Sequence, residues 1–435
     1  MTTIDTTAEE LAAPEITDVP GYCRQLGEAA LAASRSLVRI PGKARNAALA
    51  ATAQALRDAT ATLQAENAKD LARGKEMKLS SAMLDRLELS DARIEKMARS
   101  VEEIAAQPDP VGKVTEGRVL DSGVRLERVR VPIGVVLIIF ESRPNVTSDA
   151  AALCLKSGNA VILRGGKEAA FSNAAIAACV RQGLETAGID PAAVQLVATP
   201  DRAAVGELLR MDDRIDLCIP RGGESLIRAV VEQAHIPVIK HYAGNCHTYV
   251  DASCGEAMAR EVCLNAKVQR PGVCNATETF LFHQDAAEGG LLEKVCADLA
   301  DAGVEIRGCT RTIGHFPAAR PAEDSDWTTE YLDKLAAVRV VDSLDDAVAH
   351  VNRYGSKHTD AILTRDVASA DRFVAEVDSA NVFVNCSTRF SDGGVYGLGA
   401  EIGISTDKLH ARGPMGADDL TTYKWVVRGG GQIRT

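Results

Sequence analysis

One cysteine stands in a turn whose residues suit a nucleophilic thiolate. The segment reads Val268-Gln269-Arg270-Pro271-Gly272-Val273-Cys274-Asn275-Ala276-Thr277 and lies between a predicted helix over 254–266 and a predicted apolar strand over 277–282. A Pro-Gly turn in this position can hold a thiol at the mouth of a cleft with backbone N–H groups around its sulfur. The alternative is a half-buried cysteine in an ordinary loop, which the local residues do not exclude.

Two further segments suit anions, because each places two glycines and a basic residue before a predicted helix. They are Leu163-Arg164-Gly165-Gly166-Lys167 and Pro220-Arg221-Gly222-Gly223-Glu224-Ser225. Free N–H groups meet the positive end of a helix dipole at such a turn, which favours phosphate. Turn glycines beside solvated charges are the alternative interpretation.

Composition limits the function classes. The chain has 435 residues, of which 46% are apolar and 25% charged, as expected for two or three globular domains. Its net charge of −11 comes without a basic stripe, which argues against a nucleic-acid or acidic-membrane partner.

The cysteines and the N-terminus indicate a cytoplasmic protein. Eleven cysteines show no CxxC pair and no framework spacing, which is typical of reduced thiols. The nearest approach to a metal cluster, Cys246, His247, Cys254 and Cys263, matches no zinc spacing, so no metal is expected. The first twenty residues are polar and acidic, unlike a signal or transit peptide. The longest apolar run, 131–140, is too short to span a bilayer.

The order of elements predicts two α/β lobes in series. Residues 1–18 read as a flexible tail, 22–106 as helices, and 117–132 as a charged hairpin, either a solvated flap or an arm to another subunit. Short apolar strands then alternate with helices, which indicates parallel sheets covered on both faces. Expected strands are 134–140, 160–164, 194–197, 215–220 and 238–240, then 277–282, 338–341, 360–364 and 381–385. A last strand, 423–427, is expected to pair with the hairpin, in the same subunit or another.

No G-x-G-x-x-G follows any predicted strand, so the usual dinucleotide fingerprint is missing. Several long segments nevertheless resemble the aldehyde dehydrogenase superfamily, and within it the branch that reduces L-glutamyl 5-phosphate in proline biosynthesis. The resemblance runs from about residue 19 to the C-terminus and rests on 138–147, 163–167, 268–277, 396–406 and 412–416.

The resemblance implies an α/β fold of two doubly wound lobes with a β-arm for oligomerisation. We expect an NADP-binding lobe over 19–116 and 133–245, a catalytic lobe over 246–412, and an arm over 117–132 and 413–435. It also implies a homodimer or homotetramer and admits contact with glutamate 5-kinase. The absence of a kinase domain before residue 19 indicates a stand-alone enzyme.

The resemblance further implies a nicotinamide dinucleotide bound without the glycine fingerprint. Lys167 aligns near the position where NAD-preferring members carry a carboxylate, and a cation there favours the extra phosphate of NADP(H). The expected cofactor-binding residues are Arg164, Lys167, Gly222, Gly223, Ser225 and Glu330, the last as the partner of the nicotinamide ribose.

The implied reaction starts with attack by the Cys274 thiolate on L-glutamyl 5-phosphate. The Cys274 amide and Asn145 are expected to stabilise the oxyanion, although an ungapped alignment puts Arg143 in the place of Asn145. Asn145 also reads as a helix N-cap. Arg143 and Arg270 are expected to meet the anions of the substrate, and Glu401 its ammonium group.

One departure from the superfamily concerns water. Hydrolytic members carry a general-base glutamate in an E-L-G-G segment, whereas the matching segment here is His241-Tyr242-Ala243-Gly244-Asn245. No carboxylate stands at that position, which favours phosphate over water as the acyl partner. The alternatives are a hydrolytic or CoA-acylating aldehyde dehydrogenase, a non-catalytic nucleotide-binding protein, and a cysteine hydrolase with His235, His241 or His247 as its base.

Overall fold

A computed structural model describes residues 16–434, so residues 1–15 of the expected tail lie outside the described part. The chain divides into two compact units. The first contains residues 16–240, Gly397–Gly403 and 415–434, and the second contains His241–Tyr396 and Ile404–Pro414. No helix among the described residues has the length and apolar content needed to cross a membrane.

Five helices open the first unit, as the sequence predicts. They are α1 (Val19–Leu37), α2 (Gly42–Asp58), α3 (Thr60–Glu76), α4 (Ser81–Leu87) and α5 (Asp91–Ala106). The Asp18 side chain caps α1 by accepting from the Gly21 N–H at 2.9 Å. The apolar stripe of α5 is buried as its periodicity predicts, because Ile94, Met97, Val101 and Ile104 face the interior.

A hairpin follows these helices and leads into a parallel sheet. The hairpin consists of β1 (Val114–Val119) and β2 (Arg125–Pro132). The sheet is then built from β3 (Val135–Phe140), α6 (Asn145–Lys156), β4 (Ala160–Arg164), α7 (Ala170–Thr186), β5 (Val194–Leu196), α8 (Ala203–Leu209), β6 (Leu217–Arg221) and α9 (Glu224–Gln233). Its strand order is β5-β4-β3-β6, so the direction of winding reverses between β3 and β6. Ligands of open α/β sheets bind outside the carboxyl ends of the strands at such a reversal.

The prediction of a strand over 238–240 is wrong. Val238 forms only an isolated bridge with Cys218 of β6. Pro237 precedes it, and a proline cannot donate to a strand ladder, which limits the pairing.

The second unit is a seven-stranded parallel sheet with helices between its strands. Its elements are β7 (Cys246–Val250), α10 (Glu256–Val268), β8 (Thr277–His283), α11 (Gln284–Glu288), α12 (Leu291–Asp301), β9 (Glu305–Gly308), α13 (Thr310–His315), β10 (Arg320–Pro321), β11 (Leu335–Val341), α14 (Leu344–Tyr354), β12 (Thr359–Leu363), α15 (Val367–Glu376) and β13 (Asn381–Val384). The strand order is β10-β9-β11-β8-β7-β12-β13. Strands β7, β9 and β10 were not expected from the sequence.

Three further strands follow the second sheet. β14 (Gly403–Ser405) and β15 (Gly413–Met415) pair with each other, and β16 (Thr421–Arg428) pairs antiparallel with β2. The expected pairing of the last strand with the hairpin is therefore confirmed, within one chain. The Arg128 guanidinium of β2 stacks on the Tyr423 ring of β16 at 3.8 Å, which adds a side-chain contact between these two strands.

Candidate active site

The topology of the second unit explains why Cys274 has histidines near it. Strands β8, β7 and β12 are neighbours and run parallel, so their amino ends lie at one edge of the sheet. Cys274 precedes β8, His241 precedes β7, and His358 precedes β12. One ligand atom of each of the three side chains lies within 4.8 Å of the other two.

The turn that carries Cys274 is held in place from several sides. The Ala276 N–H donates to the Val273 carbonyl at 3.1 Å, and the Asn275 amide donates to the Ser391 carbonyl at 2.7 Å. The Cys246 thiol donates to the Cys274 carbonyl at 3.2 Å. Cys274 itself is partly exposed, so a fixed backbone presents an accessible thiol.

Gly244 allows the close approach of two backbone segments behind the nucleophile. A Cβ at residue 244 would overlap the carbonyl group of Cys274. Any larger residue at this position would therefore displace the turn. The close approach to Cys274 thus explains why a glycine occupies position 244, which the sequence alone does not reveal.

His241 has a defined tautomer. Its Nδ1 lies 2.7 Å from the Ile404 carbonyl oxygen, which can only accept, so Nδ1 carries the proton. The rings of His241 and His358 meet edge to face with centroids 5.4 Å apart. An oriented imidazole therefore lies beside the Cys274 thiol.

Two arginines share the surroundings of Cys274. Arg270 is exposed, and Arg389 is partly buried with its Nε donating to the Gln269 side chain at 2.9 Å. Burial lowers the pKa of Arg389, the nearby Arg270 charge lowers it further, and the Cys274 thiolate acts in the opposite direction. The structure thus brings together Cys274, the predicted Arg270, and Arg389, which the sequence analysis missed. The only signal in the sequence was its position shortly after β13.

A buried ion pair joins α10 to β8 in the second unit. Lys267, at the end of α10, pairs with Glu278 of β8, and both side chains are fully buried. Burial raises the pKa of Glu278 to about 7 against the effect of Lys267, and the Glu330 carboxylate adds to the rise. The Leu332 N–H donates to Glu278 Oε1 at 3.3 Å, which ties the segment containing Glu330 to β8.

Three further cysteines have thiols whose pKa is raised by burial. Cys154 and Cys179 are buried, and burial raises the pKa of both thiols, to about 11 for Cys179. Cys386 is partly buried, and burial raises its pKa as well. A protonated buried thiol is a poor nucleophile.

The predicted cofactor residues at the end of β4 present positive charge in the first unit. Lys167 is exposed, whereas Arg164 is partly buried and donates to the Gly165 and Pro200 carbonyls, each at 3.0 Å. Burial lowers the pKa of Arg164. The exposed ammonium group of Lys167 can donate hydrogen bonds to a phosphate, so this position suits a phosphorylated ribose.

The reversal point between β3 and β6 holds three other predicted cofactor residues. Gly222 and Gly223 end the turn before α9, and Ser225 is exposed in its first turn. The Gly223 N–H already donates to Glu141 Oε2 at 3.1 Å. A bound anion can accept a hydrogen bond from this N–H group only when the Glu141 carboxylate moves away from it.

The segment after β3 carries the predicted oxyanion residues. Asn145 is the first residue of α6, with Pro144 in the capping position, so the N-cap interpretation of Asn145 is wrong. Its side-chain amide donates to Asp149 Oδ2 at 2.8 Å. Ser142 has φ of 48° and is held by Glu168, which accepts from its N–H at 2.6 Å and its hydroxyl at 2.9 Å. This strained residue fixes the backbone direction of the exposed Arg143.

Glu401, expected to meet the substrate ammonium group, belongs to the first unit. It is partly buried, and its Oε1 lies 3.9 Å from Arg221 Nη2. Its proposed role stays a prediction.

Comparison with known proteins identifies the class. The aldehyde dehydrogenase family model matches residues 19–305, and the chain belongs to this family. Membership implies a nicotinamide cofactor and confirms the expected fold.

Particular relatives narrow the comparison. The gamma-glutamyl phosphate reductase of Moorella thermoacetica is 52% identical over 408 residues, which cover 94% of this chain and 97% of that protein. The crystal structure of gamma-glutamyl phosphate reductase from Thermotoga maritima matches with a TM-score of 0.93 and 41% identity, covering 95% of this chain and all of that one. The Saccharomyces cerevisiae enzyme of the same name matches with a TM-score of 0.53 and 32% identity, over 95% of this chain and 98% of that chain.

Proposed function

We propose that this protein reduces L-glutamyl 5-phosphate to L-glutamate 5-semialdehyde and phosphate with NADPH, the second step of proline biosynthesis from glutamate. The names of its relatives support the substrate. The observation that carries the proposal is a partly exposed Cys274 with two arginines and an oriented histidine, but no general-base carboxylate at residue 241.

Cys274 performs the covalent step. Its thiolate attacks the carbonyl carbon, a C–S bond forms, and the C–O bond to phosphate breaks with the electron pair leaving on phosphate. The product is a thioester. After reduction of the thioester carbon, the C–S bond breaks, which releases the aldehyde and regenerates the thiolate. A thiolate suits both steps because it is a soft nucleophile and a good leaving group.

Positive charge near Cys274 suits an anionic substrate. The guanidinium groups of Arg270 and Arg389 are proposed to bind the phosphate of the substrate. The Cys274 amide, with Asn145 or Arg143, is assigned to the developing oxyanion. Loss of one such donor costs about 10²–10³ in rate. Glu401 is assigned to the ammonium group.

The cofactor supplies hydride to the thioester carbon when it is bound. The residues proposed to hold it are Lys167 and Arg164 at the adenosine end, Gly222, Gly223 and Ser225 at the pyrophosphate, and Glu330 at the nicotinamide ribose. The exposed cation at Lys167 supports NADP(H) over NAD.

His241 supports phosphate as the acyl partner. An imidazole, and not a carboxylate, lies beside Cys274 at this position, so the glutamate that activates water in hydrolytic relatives is absent. A thioester that is not attacked by such an activated water is available for phosphate in the reverse direction.

The reverse reaction tests the proposal. L-glutamate 5-semialdehyde is incubated with NADP or NAD, with and without phosphate, and reduced cofactor is followed by absorbance. We expect oxidation that requires phosphate, prefers NADP and disappears in Cys274→Ser with the circular dichroism spectrum retained. Oxidation without phosphate would support a hydrolytic enzyme, and oxidation that requires CoA instead would support a CoA-acylating one.

We further propose action in the cytoplasm as a homodimer or homotetramer, with the three-stranded sheet of β1, β2 and β16 as the contact between subunits. Contact with glutamate 5-kinase fits the lability of an acyl phosphate intermediate. Co-sedimentation of the two purified enzymes tests that contact.

A further inference from the structure

The three side chains at the amino ends of β8, β7 and β12 form a set of metal ligands. Cys274 supplies a sulfur, and His241 and His358 supply imidazole nitrogens, all within 4.8 Å of one another. This set differs from Cys246, His247, Cys254 and Cys263, which are close to one another in the sequence. Cys274, His241 and His358 are brought together by the order of the strands.

Both imidazoles are oriented as metal-binding histidines usually are. The Nδ1–H of His241 donates to the Ile404 carbonyl at 2.7 Å, so Nε2 is the atom suited to a metal. The Nδ1 of His358 lies 2.9 Å from the Thr359 hydroxyl, and the side chain is fully buried. In both residues the contact at Nδ1 orients the imidazole ring and so sets the direction in which Nε2 points.

The spacing fits a small tetrahedral ion. Zn–S and Zn–N bonds of about 2.3 and 2.0–2.1 Å put neighbouring ligand atoms roughly 3.3–3.6 Å apart. The three ligand atoms lie within 4.8 Å of one another in the structure. A small closure of the side chains would therefore bring them to the spacing around a bound Zn²⁺. One thiolate and two imidazoles prefer Zn²⁺ to Mg²⁺, which requires oxygen ligands.

We propose that Cys274, His241 and His358 bind Zn²⁺, with water as the fourth ligand, and that this binding reversibly inhibits the enzyme. The bound ion takes the sulfur lone pair that attacks the acyl phosphate, so the metal and the substrate compete for one thiolate. The inhibition rests on the proposed function of Cys274, whereas the binding does not.

Titration of the full-length protein with Co²⁺ tests the binding without any assay of activity. Tetrahedral Co²⁺ with a thiolate ligand gives a charge-transfer band in the near ultraviolet and d–d bands in the visible range. We expect one Co²⁺ per chain, displacement by Zn²⁺, and no effect of Mg²⁺. Cys274→Ser should remove the charge-transfer band.

Variants of the histidines separate this site from adventitious binding. His358→Asn keeps a polar group near the Thr359 hydroxyl and removes Nε2. We expect its affinity for Co²⁺ to fall by more than about 100-fold, because even the loss of an orienting partner costs about 10–100-fold. His241→Gln should have a similar effect and serves if His358→Asn fails to fold. Cys309→Ser, which removes a partly buried thiol elsewhere in the unit, should bind as the unaltered protein does.

The same proteins then show whether binding inhibits. Zn²⁺ should inhibit the reverse reaction, a chelator should restore it, and the activity that His358→Asn retains should resist inhibition by Zn²⁺. Unchanged Co²⁺ spectra in both Cys274→Ser and His358→Asn would overturn the metal site. Metal binding by a protein without phosphate-dependent turnover would instead count against the proposed function alone.

Discussion

At the scale of single residues, charge explains how a thiol and an anionic substrate can meet. Arg389 lies close enough to Arg270 and Cys274 for each to act on its pKa, although burial has the larger effect. A partly buried guanidinium has lost part of its hydration, so an anion binds to it more strongly than to a fully solvated one.

Arg389→Met should therefore weaken the reaction of the phosphorylated substrate. A hydrogen bond to a charged group contributes about 1.5–3 kcal/mol, so we expect kcat/KM for the acyl phosphate, or for phosphate in reverse, to fall by about 10- to 100-fold. Steady-state kinetics measure this. The control is Arg372→Met on α15, whose exposed guanidinium pairs with Asp345 and Glu376. Equal kinetics in the two variants would remove Arg389 from the site.

Lys167→Glu should change the choice of cofactor. A carboxylate repels the extra phosphate of NADP and can accept hydrogen bonds from the ribose hydroxyls of NAD. We expect the ratio of kcat/KM values for NADP and NAD to fall by at least about 10-fold, as reversal of one charge-assisted contact implies. Lys43→Glu on α2, also an exposed lysine, is the control. An unchanged ratio would contradict the role given to Lys167.

The sequence predicts Cys274 because its turn is local, but it cannot predict the residues that gather around it. His358 and Arg389 come from distant parts of the chain and reach Cys274 only through the order of β8, β7, β12 and β13. At Asn145 a local pattern was misleading. Its place after Pro144 suggested a helix N-cap, whereas α6 begins at Asn145 itself.

At the scale of elements, the apolar strands were predictable and the polar ones were not. Strands β3 and β4 match their expected ranges within a residue because they are continuous apolar runs. Strand β7 begins Cys-His-Thr and gives no such signal. It is buried between β8 and β12 in the sheet, and the Asp360 carboxylate on β12 accepts from the His247 N–H at 2.7 Å, a pairing that no local pattern reveals.

Gly244→Ala should damage catalysis through the turn behind Cys274. The added methyl group would overlap the Cys274 carbonyl, so the backbone of the nucleophile must move. We expect kcat to fall by about 100-fold, as displacements of about 1 Å at a reacting group do. Gly272→Ala is the matched control in the same turn, because its nearest heavy atom beyond its chain neighbours would be the Leu332 carbonyl oxygen at 3.5 Å. Full activity of Gly244→Ala would contradict this account.

The pair Lys267–Glu278 should show a strong difference between single and double replacement. Lys267→Met leaves a buried carboxylate without its partner and should cost about 3–5 kcal/mol of unfolding free energy. Adding Glu278→Gln keeps an acceptor for the Leu332 N–H and should recover most of that loss. Urea unfolding measures both. Equal stability of the single and double variants would show that the pair is not coupled.

The same pair should give the fold a pH dependence. Burial raises the pKa of Glu278 from 4.5 to about 7, so between these values the folded protein holds a proton that the unfolded chain releases. Stability from this group therefore falls as the pH rises through that window. We expect the difference in unfolding free energy between pH 5 and pH 7.5 to be smaller in Glu278→Gln than in the unaltered protein. If the difference were identical in the two proteins, the raised pKa of Glu278 would have no effect on stability.

At the scale of the whole molecule, the three-stranded sheet presents a surface suited to another copy of the chain. Its order is β1-β2-β16, so both outer strands are edges. Tyr423, Trp425 and Val427 are 48%, 46% and 60% exposed. Exposed apolar side chains on an edge strand are typical of a contact between subunits.

Val427→Asp should therefore produce a smaller assembly. A carboxylate within an apolar contact loses its hydration without a partner, so we expect the oligomer to dissociate while circular dichroism stays unchanged. Light scattering coupled to size-exclusion chromatography gives the mass. Val367→Asp, at a position 72% exposed on α15, is the control. An unchanged mass in Val427→Asp would move the contact to another surface.

The pairing of β16 with β2 has a consequence for synthesis on the ribosome. The chain emerges from its N-terminus, so β2 leaves the ribosome long before Thr421–Arg428 is translated. One edge of the hairpin must wait, with unpaired N–H and C=O groups, while the whole seven-stranded sheet is made. The seven strands of that sheet form one continuous stretch and can pair during this interval. The charged side chains of the hairpin, which the sequence analysis assigned to a solvated flap or an arm, are of the type that disfavours pairing of such an exposed edge with another chain.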